Sequence, residues 1–349
     1  MKKPGVLYGI LNWGLGHATR SSVVIESLIE KGCHVEVGCS GVGLEWLKRR
    51  FPDLTFHELP DPGITYQKPG GSFSLAILRQ ALNLQKWLQA DQAWMKNYIL
   101  KNGAPDFIIS DHRPAFQAKK IPSALIAHQL TLPIPFWMAA ANVLHNWYLS
   151  RFKELWLPDH PEENLSGKLS RTNLPKRYLG YLSSLPVVSN SDALTPLPLW
   201  IISGPEPLRS HWENEMTQKL EERYGAFRVV RGTSAPPKVT FPSNWEVIDL
   251  ATPSQLAPFL SASTWVFCRA GYSTLMDLRL HGKPALLDPT PGQPEQESLA
   301  KDLHGHFGWF DYRKSGFIDW ESVDAPKKAS SSVPSMLDSV LNDWLALQP

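Results

Sequence analysis

Residues Gly9 to Ser22 read GILNWGLGHATRSS: a hydrophobic strand, a loop spaced by Gly14 and Gly16, then a helix opening with His17 and Arg20. A strand, glycine loop and helix start together cradle phosphate, because the first helical turn offers free backbone N–H groups at the positive end of the dipole. Histidine at the apex of such a loop adds a group that exchanges a proton near neutrality. Two more polar residues close strand-like runs in the same half. Asp111, in SDHRP (Ser110 to Pro114), either orients a reacting group or caps the following turn. His128, in AHQ (Ala127 to Gln129), is either a satisfied core histidine or part of a site.

A second run, Val247 to Ala300, is denser in such residues. A strand ending near Ile248 leads through a helix to the strand TWVFC, then to a turn at Arg269-Ala-Gly271 and a helix opening at Ser273-Thr274. Asp277 lies in the first turns of that helix, and the loop after the next strand carries Glu295 and Gln296. Ligands of parallel sheets bind beyond the carboxyl ends of strands, where all these residues fall. A helix N-terminus beside Arg269 suits a diphosphate, or Arg269 is a structural ion-pair partner. The Asp277 carboxylate suits ribose hydroxyls, and a Glu-Gln pair suits those of a sugar ring.

The elements that must position these residues alternate strand and helix. VLYGIL, HVEVGCS, LTFHEL, DFIISD and SALIAHQ read as strands, with helices over about 19–31, in GLEWLKRRFP and over about 73–101. This predicts a parallel sheet covered on both faces. The Ser/Pro/Asn-rich stretch 182–199 is the best linker, and the alternation then restarts through LWIISG, FRVVRG, WEVIDL, TWVFCRAG and PALLDP. The expected division is 1–185, 186–332 and an amphipathic helix in 333–349. At 349 residues the chain exceeds one typical core. A net charge of +2 without basic blocks argues against nucleic acid. Three cysteines (Cys33, Cys39, Cys268) give neither a disulfide framework nor zinc-site spacing, so a reducing cytoplasm fits. The apolar N-terminus, interrupted by Asn12, reads as a core strand rather than a signal peptide. A dinucleotide fingerprint is incomplete: Thr19 stands where the third glycine belongs, and Glu36 sits mid-strand.

The second run resembles the MurG-like glycosyltransferases of GT-B fold, whose donor domain carries CRxGxxTxxE…GxP…P…QQxxNA. Cys268, Arg269, Gly271, Thr274, Gly282, Pro284 and Pro289 match it, with Asp277 in place of the ribose-binding glutamate and Glu295-Gln296 in place of the glutamine pair. GLGH (Gly14 to His17) resembles the end of the family's GGxGGH, and AHQ its His-Glu pair, with Gln129 for Glu. The resemblance implies two Rossmann-like domains facing across a cleft, with the C-terminal helix returning to the first. It implies an inverting, metal-independent transfer of a sugar, N-acetylglucosamine first, from a UDP-sugar co-substrate to a hydroxyl acceptor, with no cofactor.

His17 becomes the base, with Asp111 and His128 beside it, and Asn12, Gly14, Gly16 and Gln129 line the acceptor side. Gly204, Arg209, Ile248, Arg269, Gly271, Ser273, Thr274, Asp277, Glu295 and Gln296 hold the donor. ISGPEPLR (Ile202 to Arg209) replaces a glycine-rich phosphate loop; its two prolines remove N–H donors, so either Ser203, Gly204 and Arg209 serve the phosphate or it leans elsewhere. A UDP-sugar epimerase of the same architecture and a non-catalytic nucleotide-sugar binder remain alternatives. Two apolar, aromatic stretches, 75–99 and 132–153, read either as helices packed on the sheet or as surfaces resting on the inner face of the plasma membrane, where a lipid-linked acceptor would be met.

Overall fold

The computed structural model of the chain describes residues 3–61, 81–134, 139–186, 194–323 and 333–347, which divide into two units. The first takes 3–61, 81–134, 139–182 and 333–347; the second takes 183–186 and 194–323. In the first unit the chain runs β1 (Gly5–Ile10), α1 (Leu15–Glu30), β2 (His34–Cys39), α2 (Gly41–Arg50), β3 (Thr55–Glu58), α3 (Ala81–Asn102), β4 (Phe107–Asp111), β5 (Ser123–Ile126), α4 (Ala139–Leu149), β6 (Glu154–Leu157) and β7 (Lys176–Tyr178). The seven strands form one parallel sheet in the order β3-β2-β1-β4-β5-β6-β7. β1 and β4 are central, and their near-continuous apolar runs are what a sheet covered on both faces requires. The strand order reverses between them, which opens a crevice at their carboxyl ends. Gly14 caps α1 at φ 74°, a conformation that side chains resist, so the turn from β1 into α1 depends on glycine there.

The second unit repeats the plan with β8 (Leu199–Ile201), α5 (Leu208–Tyr224), β9 (Arg228–Val230), β10 (Glu246–Ile248), α6 (Pro253–Ala262), β11 (Val266–Cys268), α7 (Tyr272–His281), β12 (Ala285–Leu287), α8 (Pro294–Asp302), β13 (Trp309–Asp311) and α9 (Tyr312–Ser315). Its parallel order β10-β9-β8-β11-β12-β13 puts the reversal between β8 and β11. Trp200, Trp212, Phe227, Trp245, Trp265 and Phe267 fill its core.

The remaining helix, α10 (Val333–Leu345), packs on the first unit. Trp344 is fully buried, edge-on to Trp156 at 5.4 Å and tilted over Phe107 at 5.7 Å. Lys31 pairs with Asp338 at 2.8 Å and Arg177 with Asp343 at 2.6 Å.

The strands expected from the sequence form, and α/β is the class. β6, β7 and β13 were not anticipated, being three or four residues long with no periodicity to show. Parts of the expected linker (187–193) and of the expected long helix (73–80) lie outside the described residues, as do 135–138 of the second apolar stretch. On α3 the described aromatic residues favour the first of the two readings: Trp87 and Tyr98 are buried, and Trp94 stacks on Tyr98 and Phe116, so they serve the core, while Leu84 is 37% exposed. α4 differs: Val143 is 70%, Leu144 56% and Trp147 53% exposed.

Replacing Trp344 with Ala is expected to cost about 3–5 kcal/mol by leaving a cavity between α10 and the sheet. Urea unfolding followed by circular dichroism reads this. An unchanged midpoint would show that α10 is not part of the core.

Candidate active site

At the carboxyl end of the central strand pair, Asp111 lies beside Ile10 in register, and its carbonyl accepts Leu11 N–H at 3.1 Å. Its carboxylate is fully buried. One face of α1 answers it, since His17, Arg20 and Ser21 stand three and four positions apart. His17 Nδ1 lies 2.7 Å from Oδ1, and Arg20 donates Nε to Oδ2 at 2.8 Å and Nη2 to Oδ1 at 2.5 Å. The Ser21 hydroxyl donates to Oδ2 at 2.9 Å. Burial by itself would drive the Asp111 carboxyl towards its neutral form; Arg20 and His17 outweigh it and hold the group well below the usual carboxylate range. His17 is shifted down from its ordinary value, by burial first and then by Arg20, with Asp111 opposing.

Two more histidines complete the cluster. Arg20 Nη1 lies 3.1 Å from His128 Nδ1, and the His112 ring stacks on His128 with 5.4 Å between centroids. His112 also lies 5.4 Å from the His17 ring. Its backbone sits at φ 57° and its buried Nδ1 has no protein partner. Burial leads the causes that push His112 well below the ordinary histidine value, with the charges of His17 and Arg20 next. The structure therefore brings together His17, Asp111 and His128, which the sequence singled out, and adds Arg20, Ser21 and His112. The signal for Arg20 and Ser21 was their helical spacing from His17; for His112 there was none beyond adjacency to Asp111.

Of the other first-unit residues, Gly14 makes the turn into α1 and Gly16 lies in the first turn of that helix. Asn12 donates to Asp61 at 2.9 Å and accepts Gly43 N–H at 3.4 Å, so its amide braces neighbouring loops. Gln129 is half-buried just beyond β5.

In the second unit, Gly271 is the N-cap of α7 and supplies no side-chain cap, and Ser273 and Thr274 occupy the first turn. Asp277 is partly buried and pushed up to about 7 by desolvation; the Ser183 hydroxyl donates to its Oδ1 at 2.5 Å. Gln296 accepts Thr290 N–H at 2.9 Å, which leaves its amide N–H₂ for another acceptor. Glu295 is half-buried on the first turn of α8. Ile248 ends β10 with its carbonyl accepting Arg231 N–H at 2.9 Å. Gly204 follows β8 at φ 118°, beyond the reach of an ordinary residue. The Thr290 hydroxyl is buried without a partner, 3.9 Å from where a Gly204 side chain would begin. Sequence reading passed over Thr290 because an isolated threonine between prolines carries no pattern.

Two arginines weighed for the diphosphate are engaged within the unit. Arg209 spends its guanidinium on Glu206 at 2.6 Å, Glu213 at 2.7 Å and Ser210 at 2.8 Å, so it turns inward along α5 instead of towards phosphate. Arg269 is buried 3.9 Å over the Trp212 ring and donates to the Asp288 carbonyl at 2.9 Å and carboxylate at 3.1 Å. Burial pushes it down to about 10. Its task is to brace the loop that leads to Gln296.

A family model described as Glycosyl transferase family 1 matches residues 4–149, which hold His17, Asp111 and His128. Proteins named uncharacterized glycosyltransferase from Methanosarcina acetivorans and Methanosarcina mazei are each 22% identical over 320 residues, covering 84% of this chain and 82% of theirs. The solved spinosyn rhamnosyltransferase SpnG complexed with thymidine diphosphate has the same fold, with TM-score 0.63 and 16% identity over 97% of this chain and 92% of that one. The chain is a glycosyltransferase of GT-B fold. SnogD from Streptomyces nogalater (TM-score 0.58, 13% identity, 100% and 96% covered) and MurG from Acinetobacter baumannii (0.52, 14%, 99% and 91%) share the architecture. MurG thus stands as one neighbour among several at low identity, and the comparison supports the broader class.

In this glycosyltransferase the Arg20 charge is compensated by Asp111. Asp111→Asn leaves that guanidinium buried against a neutral amide and is expected to cost about 3–5 kcal/mol. Urea unfolding at neutral pH measures the loss, and a change below 1 kcal/mol would show that the pair is not stabilising.

Proposed function

We propose that this glycosyltransferase moves a sugar from a nucleoside diphosphate sugar to a hydroxyl acceptor with inversion, using His17 as base and no metal. The observation that supports it is the placement of His17 against a buried, ionised Asp111. A carboxylate at Nδ1 holds the ring proton there and leaves Nε2 as the nitrogen that can take one. The acceptor hydroxyl gives its proton to Nε2 as its oxygen attacks the anomeric carbon. The bond from that carbon to the diphosphate oxygen breaks, the electron pair leaves with the nucleoside diphosphate, and configuration inverts. Because burial and Arg20 keep the imidazole uncharged near neutrality, it is ready to accept.

For the donor, the start of α7 at Gly271, Ser273 and Thr274 offers N–H groups and the helix dipole to the diphosphate, with Gly204 and Thr290 beside it. Asp277 meets ribose hydroxyls through the oxygen not bonded to Ser183, Ile248 borders the base, and Glu295 with the Gln296 amide meets the sugar. UDP-N-acetylglucosamine is our first choice of donor, resting on the resemblance in Cys268 to Gln296. Asn12, Gly14, Gly16 and Gln129 border the acceptor, in a first domain of 1–185 joined by 333–349; 186–332 carries the donor. Among the described residues no helix is long and apolar enough to cross a membrane. The exposed Val143, Leu144 and Trp147, with Arg151 4.9 Å over the Trp147 ring, support a peripheral contact at the inner face of the plasma membrane and a lipid-linked acceptor. Trp147→Ser would then lower co-sedimentation with anionic vesicles, and unchanged binding would remove this part of the reading.

Thermal unfolding with UDP, thymidine diphosphate, UDP-N-acetylglucosamine, GDP and NAD in parallel tests the donor. A ligand at a hundred times its dissociation constant adds about 2.7 kcal/mol. We expect the UDP compounds to raise the midpoint and Asp277→Ala to abolish the rise. His17→Ala should keep the rise while lowering transfer by about 10²–10⁴-fold. A shift with NAD alone, or full transfer by His17→Ala, would overturn the reading.

A further inference from the structure

We propose that Arg20 is a positioning residue of the reaction: its guanidinium clamps and neutralises Asp111, so that His17 stands uncharged and in the tautomer a base requires. The inference rests on His17 being the base.

Arg20 is only 2% exposed, and it reaches both Asp111 oxygens through Nε and Nη2. A bidentate guanidinium–carboxylate pair fixes the carboxylate plane, which a single hydrogen bond leaves free. The same Nη2 lies 2.9 Å from His17 Nδ1, while that nitrogen lies 2.7 Å from Asp111 Oδ1. Guanidinium nitrogens only donate and an ionised carboxylate only accepts, so Nδ1 serves one of them at a time. Donation to the ionised Asp111 is charge-assisted and leaves the lone pair on Nε2. Arg20 Nη1 meanwhile faces His128 Nδ1 at 3.1 Å, which makes that nitrogen an acceptor and puts the His128 proton on Nε2.

An isolated carboxylate beside histidine would favour the imidazolium; here Arg20 already balances Asp111, and a proton added to His17 is the site's net positive charge. The groups facing His17 are Arg20 on its own helix, Asp111 at the end of β4, His112 after it and His128 beyond β5. Of the four, Asp111 favours the imidazolium, and Arg20 is the permanent cation that offsets it. The site is therefore a base kept weak enough to be empty of its proton when the acceptor arrives.

The test is a ¹⁵N-histidine NMR titration of the full chain, with the His17 signal assigned by its loss in His17→Gln. We expect Arg20→Gln to raise the His17 titration midpoint by about one pH unit or more, because the unneutralised Asp111 then favours the imidazolium. Arg20→Lys, which keeps the charge and loses the fork, should leave the midpoint near wild type while narrowing the share of Nδ1–H tautomer in the ¹⁵N shifts. A midpoint unmoved in folded Arg20→Gln would overturn the proposal. So would a midpoint raised equally in Arg20→Lys. If Arg20→Gln does not fold, Arg20→Lys still decides on the tautomer: unchanged ¹⁵N shifts reject the clamp. The titration needs no turnover, so its failure is separate from that of the base assignment, which full transfer by His17→Ala would show.

Discussion

A carboxylate with no exposure to water is expensive, and the first unit is arranged around the cost of holding one at Asp111. The main chain of Asp111 is spoken for by its place in β4, between β1 and β5. Its side chain must be satisfied from elsewhere, and the first two turns of α1, the helix that follows β1, reach it. They bring one guanidinium, one imidazole and one hydroxyl, which together occupy both oxygens. The glycine at position 14, with its positive φ, lets the chain turn sharply enough for α1 to start there. The site is thus a consequence of parallel pairing in register, a tight turn and the need to compensate a buried charge.

The second unit uses the same strand order for a different kind of site. Its buried charges brace loops. Glu213 accepts Arg209 at 2.7 Å and Arg231 at 2.5 Å, and Arg231 also reaches Asp249 at 2.5 Å, tying α5 to the ends of β9 and β10. Arg269 does the same for the loop after β12. With Arg209 and Arg269 engaged inside the unit, the groups we propose for the diphosphate at the carboxyl ends of β8 and β11 are main chain and small polar ones: the α7 start, the Gly204 turn and the Thr290 hydroxyl. Backbone amides at a helix start serve an anion well because they are fixed before it arrives, and they carry no charge to be neutralised when it leaves.

Much of this was legible in the sequence. Alternating apolar runs and helical segments specify a parallel sheet covered on both faces, because no other arrangement buries them all. Glycines at 14 and 271 and the polar residues just past strand ends marked both crevices, since ligands of such sheets meet those ends. The short strands β6, β7 and β13 did not show: three or four residues hold no period, and only pairing with a neighbour makes them strands. The aromatic stripe of α3 could not be assigned to core or surface, because periodicity gives a face but not what the face meets.

Sequence alone determined the class of fold, the positions of His17 and Asp111 at the ends of adjacent strand–helix units, and the motif from Cys268 to Gln296. Only the tertiary structure decided what each charged residue does. Arg209 and Arg269 have the composition of phosphate ligands, yet each is buried against carboxylates, carbonyls or an aromatic face. Arg20 looks like an ordinary helix arginine, yet it is the counter-charge of the site. The reason is physical. An arginine's task is set by which acceptors lie within reach once it is buried: Arg209 finds Glu206 and Glu213 three and four residues away along its own helix, whereas Arg20 and Arg269 meet acceptors 91 and 19 residues away, whose approach no local pattern records.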